Sequence, residues 1–242
     1  MNTVVWHEVE CGAYTADLSL WEELADAYGA DVTIMELGCG AGRVTLHLAQ
    51  RDVYLVIGVD WDSDLVAAVW EHSGKLPGDA EVADVRSFEF ATKFSLVIAP
   101  MQLIQLLRSS QDRIACLSCV VDSMLPGGHA AFAIVEEMPI LPPGSTAPPL
   151  PDVRQIEGWI YSSLPLEPIA GPDSILIRRL RQTVDPDGNM SDEMNEIELA
   201  VLSAETLEEE GRTVGLQPAG RREIPPTEAH VGSTVVLFEK EA

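Results

Sequence analysis

Lysine is scarce in this 242-residue sequence. Only three lysines are present, and 15 basic residues stand against 39 acidic ones, which gives a formal charge of −24 at pH 7. Nucleic acids and anionic membranes are bound through clusters of Lys and Arg. Because the arginines are scattered or mixed with acids, we expect neither a nucleic-acid partner nor a membrane partner.

Long apolar runs and cysteines are also few. No apolar run reaches the roughly 18 residues of a membrane-spanning helix, and the N-terminal residues lack the basic start and apolar stretch of a signal peptide. Four cysteines in a chain of this length do not indicate a disulfide scaffold. Cys116 and Cys119 form a C-x-x-C inside an apolar helical pattern, without further His or Cys ligands for a metal. We therefore expect a cytoplasmic protein without a bound metal.

Apolar residues make up 46% of the chain, enough for a substantial core. Short apolar strand patterns alternate with amphipathic helical patterns. The strand patterns lie at 32–37, 54–60, 80–82, 94–100 and 129–135. Strands that are apolar throughout predict a parallel sheet with helices on both faces. The sequence thus predicts an α/β, doubly wound, mostly parallel sheet.

A different pattern follows the fifth strand. Residues 136–151 are rich in proline, which cannot continue a helix or a central strand. Strand patterns and a tight-turn sequence at Asp185–Asn189 then predict a small antiparallel β insertion at 149–202. We expect this insertion to form a lid on a domain made of residues 1–148 and 203–242. In that domain, Ser203 caps a helix and two final strands follow it.

A glycine cluster joins the first strand to the next helix. It reads Glu36-Leu37-Gly38-Cys39-Gly40-Ala41-Gly42. Glycines in this place let the backbone turn sharply and approach a ligand that faces the helix N-terminus. The dinucleotide fingerprint G-x-G-x-x-G would need a third glycine where Arg43 or Thr45 stands, so NAD and FAD fit poorly.

The cluster resembles the E-x-G-x-G-x-G motif of the class I S-adenosylmethionine-dependent methyltransferases. The acids Asp60 and Asp84 after the second and third strands, and the turn Leu125-Pro126-Gly127-Gly128, extend the resemblance over residues 30–136. It implies a Rossmann-like fold with a seven-stranded sheet, S-adenosylmethionine as cofactor and S-adenosylhomocysteine as product.

The resemblance also implies roles for single residues. Asp60 would accept hydrogen bonds from the ribose, Trp61 would pack against the adenine, and Asp84 would contact the adenine amino group. The full implied cofactor-binding set is Glu36, Gly38, Cys39, Gly40, Gly42, Asp60, Trp61, Asp84, Val85 and Pro100.

The substrate side follows from the sheet topology, since ligands of open parallel sheets bind beyond the carboxyl ends of the strands. The residues predicted there, including two from the insertion, are Met101, Gln102, Glu136, Trp159 and Arg178. Arg178, Arg179 and Arg181 form the one basic cluster. It could bind an anionic substrate group, or pair across the hairpin with the acids Asp192, Glu196 and Glu198, which we favour.

The catalytic residues are less apparent. His230 in the last hairpin is our candidate general base, and Tyr14 is a candidate hydrogen-bonding group near the methyl group. The chain has Ala99-Pro100-Met101-Gln102 where amino-directed methylases of nucleic acids and glutamine carry Asn/Asp-Pro-Pro-aromatic, which argues against those acceptors.

We predict in-line methyl transfer to a small organic molecule, mainly through proximity and orientation. The alternatives are a protein methyltransferase and an S-adenosylmethionine-binding protein without turnover. The insertion is also a candidate homodimer contact. The acceptor atom is left open among oxygen, nitrogen, carbon and sulfur.

Overall fold

A computed structural model describes residues 3–29, 32–51, 54–138, 150–227 and 230–241. The main sheet has seven strands: β1 (Val32–Leu37), β2 (Tyr54–Asp60), β3 (Gly78–Val82), β4 (Phe94–Ala99), β5 (Met124–Ile134), β11 (Leu216–Ile224) and β12 (Ser233–Lys240). Their spatial order is β11-β12-β5-β4-β1-β2-β3. Strands β1 to β5 pair in parallel, and β12 is antiparallel to both β5 and β11. The predicted fold class is confirmed.

Seven helices accompany the sheet in the described ranges: α1 (Thr3–Cys11), α2 (Leu18–Asp26), α3 (Arg43–Ala49), α4 (Ser63–Ser73), α5 (Leu103–Leu106), α6 (Ser110–Ser123) and α7 (Ala204–Thr213). Successive residues of β1 serve the two faces of the sheet. Ile34 packs in a cluster with Trp21 of α2 and Leu48 of α3, whereas Met35 packs in a cluster with Leu117 of α6. The core therefore lies on both faces, as a strand buried on both sides requires.

A second sheet is formed by β6 (Asp152–Ile156), β7 (Trp159–Pro165), β8 (Ile169–Ala170), β9 (Ser174–Val184) and β10 (Met190–Ala200). Its order is β10-β9-β7-β6, with β8 paired to β9, and all pairs are antiparallel. Asp185 closes the β9–β10 turn by accepting hydrogen bonds from the backbone N–H groups of Asp187 and Asn189. The predicted start of the insertion at residue 149, with most of the Pro-rich stretch, lies outside the described residues. The division into two domains stays a prediction.

Two helices and one cap differ from the sequence-based expectations. Helices α1 and α5 were not predicted, because the nine residues of α1 and the four of α5 show little of the periodic pattern that predicts a helix. The sequence predicts Ser63 as the N-cap of α4, but the cap is Asp62, since the Asp62 carboxylate accepts from the N–H groups of Asp64 and Leu65. Ser203 caps α7 as expected. In the part of the chain that the structure describes, no helix is long and apolar enough to cross a membrane.

Candidate cofactor and acceptor site

The glycine cluster forms a tight loop between β1 and α3. Gly38, Gly40 and Gly42 have φ values of +66°, +55° and +89°, in the left-handed region that other residues adopt only at a cost. The N–H groups of Gly38 and Cys39 donate to the carbonyl oxygen of Val59, at 2.7 and 3.0 Å. The loop is therefore held across the carboxyl end of β2, with the N-terminus of α3 behind it.

Asp60 connects this loop to α4. Its buried carboxylate accepts hydrogen bonds from the N–H of Gly40 at 2.9 Å and from the N–H of Asp62 at 3.0 Å. A carboxylate offers about four acceptor positions, so two stay available for other donors. The geometry thus fits the ribose-binding role that the family resemblance implies.

Glu36 is buried beneath the loop. Its carboxyl accepts a hydrogen bond from the hydroxyl of Thr45 on α3. Burial raises the pKa of Glu36 to about 8, although this hydrogen bond and the charge of Arg43 act in the opposite direction. Glu36 therefore links the end of β1 to α3 and supports the loop from within.

Cys39 fills a narrow space in the loop. Its side chain lies against Gly58, where any added Cβ would come within 2.7 Å of the Cys39 sulfur. Burial raises the pKa of the thiol. The sulfur is accordingly a packing group, and Cys39 takes part in the site through its backbone.

Trp61 and Asp84 differ in how accessible their side chains are to a ligand. The Trp61 ring follows Asp60 directly and is 80% exposed, so its face is open to an aromatic ligand. The Asp84 carboxylate is bound by Arg86, with Nη2 at 2.6 Å, and hydrogen bonds from Arg86 lower its pKa to about 2. The adjoining Val85 packs against the core. The adenine contact of Asp84 stays a prediction, with Arg86 as its partner in this structure.

Helix α1 brings an unpredicted residue to the glycine loop. The imidazole of His7 lies so close to Gly40 that a Cβ on Gly40 would overlap the ring. The N–H of Ala41 donates to Nδ1 of His7 at 3.4 Å. Burial lowers the pKa of His7, against the opposing effect of Asp60. His7 was missed because α1 itself was not predicted.

The two catalytic candidates are neighbours. The rings of Tyr14 and His230 lie 4.6 Å apart with an interplanar angle of 37°. The guanidinium of Arg43 lies 5.1 Å from the centre of the Tyr14 ring. Burial raises the pKa of Tyr14 to about 12, so its hydroxyl keeps its proton. Tyr14 is thus suited to donating a hydrogen bond, and His230 is the member of the pair suited to accepting a proton.

The carboxyl end of β4 is locally strained. Pro100 is buried, and the next residue, Met101, has a φ of +51°, which is rare for a side chain of this size. Met101 packs against the cluster that contains Tyr14. Gln102 then precedes α5 as its N-cap residue. The chain therefore turns sharply at the point where the sequence predicts the substrate side.

The side chains of Glu136 and Gln105 fix the neighbouring end of β5. Glu136 accepts hydrogen bonds from the N–H of Ala204 at 2.8 Å and from the hydroxyl of Thr234 at 2.9 Å. Gln105, which we did not predict, bonds to both backbone groups of Val135 and to the carbonyl oxygen of Ala200. These bonds join α5, β5, α7, β12 and the end of the second sheet in one place.

A cavity of about 420 Å³ opens beside this junction. It lies between the end of β5 and the connection from β11 to β12, which also carries His230. Its polar lining includes Glu136, Glu137 and Glu223, and none of the described lining residues is basic. The cavity is therefore acidic.

The second sheet turns one face toward α1. On this face Trp159 stacks on Tyr161 at 6.4 Å between ring centres, and Tyr161 meets the Trp6 ring of α1 edge-on at 5.5 Å. Strand residues alternate between faces, so Arg178 lies on the opposite face, where Glu196 pairs with it in register. The substrate-side role of Arg178 stays a prediction.

The arginine cluster pairs differently from our expectation. Arg181 bonds mainly to Glu10 of α1, at 2.7 Å, with the cross-hairpin Glu193 at 3.9 Å. Arg179 contacts Asp152 and Glu10. Cross-hairpin pairing as the main arrangement for these two arginines is wrong, because both side chains point to the face that α1 covers.

Residues 34–128 match the family model described as a methyltransferase domain. No curated protein matches the chain. Similar solved structures include the sugar N-methyltransferase KedS8 from Streptoalloteichus, which is 15% identical with a TM-score of 0.75, over 98% of this chain and 92% of that one. CalS10, an amino pentose methyltransferase from Micromonospora echinaspora solved with S-adenosylmethionine bound, is 15% identical with a TM-score of 0.70, over 96% of each chain.

A third similar structure is the 1,6-didemethyltoxoflavin-N1-methyltransferase from Burkholderia thailandensis. It is 13% identical with a TM-score of 0.60, over 98% of this chain and 81% of that one. These likenesses show a shared fold, and the matched range 34–128 contains the glycine loop, Asp60 and Trp61. Residues 34–128 therefore match a methyltransferase domain, within a Rossmann-like α/β fold that the similar structures share.

Proposed function

We propose that this chain transfers the methyl group of S-adenosylmethionine to an amine of a small organic molecule. The observation that carries the proposal is the acidic cavity at the end of β5. Its volume of about 420 Å³ lies in the range of about 300–1,000 Å³ that is typical of small-molecule sites. Glu137 and Glu223 favour a cationic group there, and an ammonium is the common cation of small metabolites.

The similar structures support the same class of acceptor. KedS8 and the Burkholderia thailandensis enzyme are N-methyltransferases, and CalS10 is an amino pentose methyltransferase. All three describe small-molecule methyltransferases. Their likeness extends over most of this chain, including the second sheet, and so favours a small acceptor over a protein.

The bound cofactor supplies the electrophilic methyl group, and the residues of this chain hold and orient it. We infer that the glycine loop receives the cofactor, with Asp60 as acceptor for the ribose hydroxyls and Trp61 against the adenine. Val85 and Pro100 contribute apolar surface nearby. Because methyl transfer is an in-line displacement, the position of the amine against the methyl group is the largest contribution.

The acceptor must also lose a proton. An ammonium has no free electron pair, and a cavity lined by carboxylates stabilises that charged form. A proton acceptor beside the cavity is therefore needed, and we assign this role to His230. Tyr14, which keeps its proton and lies beside His230, donates a hydrogen bond near the transferred methyl group.

The proposal is tested with purified protein, labelled S-adenosylmethionine and a panel of small amines that includes amino sugars. We expect label in a low-molecular-weight amine, a lower kcat/KM for that amine in Glu137→Gln, and no change in the control Glu89→Gln on another surface. His230→Gln should lower kcat, whereas the exposed His72→Gln should not. Label found only in the protein fraction would favour a protein methyltransferase instead. Cofactor binding without transfer to any amine would favour a binding protein without turnover.

We also propose that two copies of the chain associate through the second sheet. The outer face, defined as the side opposite α1, exposes Val153, Ile160, Met190 and Met194 by 57%, 41%, 67% and 49%. Treated as a flat surface, the four strands of up to eleven residues give this face an area of roughly 500 Å². Projecting side chains add to that area, and a stable interface buries about 800 Å² per partner.

The charges on the outer face suit a two-fold contact. Arg178 lies there beside Glu196, and its guanidinium donates to the carbonyl oxygen of Glu167 at 3.5 Å. A second copy rotated by 180° can bring its acids to Arg178 and Arg178 to its acids. Light scattering should report a dimer for the wild type and a monomer for Met194→Glu, with Leu106→Glu as a control outside the sheet. A wild-type monomer at micromolar concentration would refute the proposal.

A further inference from the structure

Helix α1 lies between the glycine loop and the second sheet, and it contacts both. On the loop side His7 packs on Gly40 and accepts a hydrogen bond from Ala41. On the sheet side Glu10 and Trp6 contact β7 and β9. His7 and Glu10 are three residues apart on a single helix, so displacement of one displaces the other.

Glu10 is the centre of the sheet-side contact. Arg181 donates to both of its carboxylate oxygens, at 2.7 and 2.8 Å, and the hydroxyl of Ser163 donates at 2.7 Å. Arg179 lies 3.5 Å away. Only 10% of the Glu10 side chain is exposed. Removal of the Glu10 charge would therefore leave two arginines with less compensation at a site that is largely withdrawn from water.

Further contacts hold α1 against the second sheet. Arg154 of β6 pairs with Glu8 at 3.4 Å, and the guanidinium of Arg181 lies 5.1 Å from the centre of the Trp6 ring. Burial alone would raise the pKa of Glu10, yet the hydrogen bonds from Arg181 and Ser163 hold it below its ordinary value. The carboxylate is thus ionised at neutral pH and the ion pairs are fully formed.

Nine residues are too few for a helix to be stable in isolation. The position of α1 is therefore set by what it packs against, and the ion pairs of its Glu8 and Glu10 are with arginines of the second sheet. The residues of that sheet are more than a hundred positions away from α1 in the chain. A contact of this kind ties the second sheet to the cofactor-binding loop.

We infer that Glu10 is a positioning residue for the cofactor: its ion pairs with Arg179 and Arg181 seat α1 on the second sheet and so hold His7 at the glycine loop, where His7 contacts bound S-adenosylmethionine. The second sheet then controls cofactor affinity as well as the acceptor side. This inference rests on the proposed binding of S-adenosylmethionine and does not depend on the amine acceptor.

The test measures S-adenosylhomocysteine binding to cofactor-free protein by calorimetry, so that no acceptor is needed. We expect Glu10→Gln and His7→Ala each to weaken binding by about tenfold. Glu23→Gln is the matched control, because it breaks an exposed ion pair with Arg222 away from α1. It should leave the affinity within twofold of the wild type.

A double variant separates positioning from general destabilisation. If Glu10 acts through His7, then Glu10→Gln adds no further loss of affinity in the His7→Ala background. In steady-state assays Glu10→Gln should raise KM for S-adenosylmethionine with kcat retained at saturation. Hydrogen exchange at residues 3–11 should be faster in Glu10→Gln than in Glu23→Gln.

Three results would overturn the inference: wild-type affinity in Glu10→Gln, additive losses in the double variant, or weaker binding with unchanged exchange in α1. If Glu10→Gln does not fold, Arg181→Lys serves instead, since it keeps the charge and loses the two-pronged geometry. It should weaken binding by a smaller factor, and wild-type affinity in it would equally count against the inference. Failure to find an amine acceptor would leave the calorimetric and hydrogen-exchange measurements valid.

Discussion

Replacement of Gly40 by alanine should destabilise the protein more than the same replacement at Gly29. Both glycines have positive φ, +55° and +79°, but the surroundings differ. An added Cβ at Gly40 overlaps the imidazole of His7, whereas at Gly29 it meets no atom of the described residues within 4 Å. The pair therefore separates the cost of the backbone conformation from the cost of the contact with α1.

The magnitudes follow from these two contributions. A non-glycine residue in the left-handed region costs about 1–2 kcal/mol, which applies at both positions. Forcing extra volume into a packed site costs about 1–3 kcal/mol more, which applies at Gly40 alone. We expect a loss in the free energy of unfolding of about 2–5 kcal/mol for Gly40→Ala and about 1–2 kcal/mol for Gly29→Ala.

Urea unfolding with linear extrapolation measures both values. In a His7→Ala background the added methyl group has room, so Gly40→Ala should then cost only about 1–2 kcal/mol. The reasoning is refuted if Gly40→Ala and Gly29→Ala lose the same stability, or if His7→Ala leaves the cost at Gly40 unchanged. Either result would mean that His7 does not rest on the glycine loop.

Three further predictions concern the cofactor site and the core. Trp61→Ala should weaken S-adenosylhomocysteine binding about tenfold in calorimetry, because stacking on a base is worth about 1–3 kcal/mol; Trp70→Ala, also exposed, should not. Burial keeps Glu36 protonated in the folded state up to a pKa of about 8, while an unfolded carboxyl ionises near about 4.3. The folded state therefore binds more protons between these values, so wild-type stability in urea should fall from pH 5 to pH 8 and Glu36→Gln should flatten that slope. Arg113→Met should cost about 3–5 kcal/mol because it leaves the buried Glu210 unpaired; removing both charges with Glu210→Leu should recover most of the loss.

The main sheet and the loop follow from local patterns in the sequence. Strands such as β1 and β4 are apolar at nearly every position, and only a strand buried on both faces requires this. The loop is fixed by three alternate glycines, and Asp60 follows from its place at the end of β2. These features depend on neighbours in the chain, so a single sequence is sufficient to predict them.

The contacts of α1 could not be predicted in the same way. Glu10 and Arg181 are 171 positions apart, and no local pattern states that they meet. The alternation along β9 does place Arg179 and Arg181 on one face. Which element covers that face depends on tertiary packing, and the cross-hairpin acids were the nearest partners visible in the sequence.

The left-handed Met101 and the buried Gln105 were missed for a related reason. Methionine is not a residue that predicts a turn. The φ of +51° at Met101 is found where the chain packs at the end of β4. Gln105 bonds to backbone groups of two strands that are distant in the chain. Any glutamine or asparagine could fill this role, so the sequence alone does not single out Gln105. His230 and Tyr14 were predicted separately, and the structure brings their rings together.

The central claim is methyl transfer to a small amine, and the most direct measurement uses S-adenosylmethionine with a labelled methyl group. The purified protein is incubated with a small-molecule extract, and the products are separated by size and by cation exchange. We expect label in a small, cation-exchange-retained product, with less label from Glu137→Gln at the same protein concentration and unchanged label from Glu89→Gln. Label confined to macromolecules, or no transfer by protein that binds S-adenosylhomocysteine, would contradict the claim.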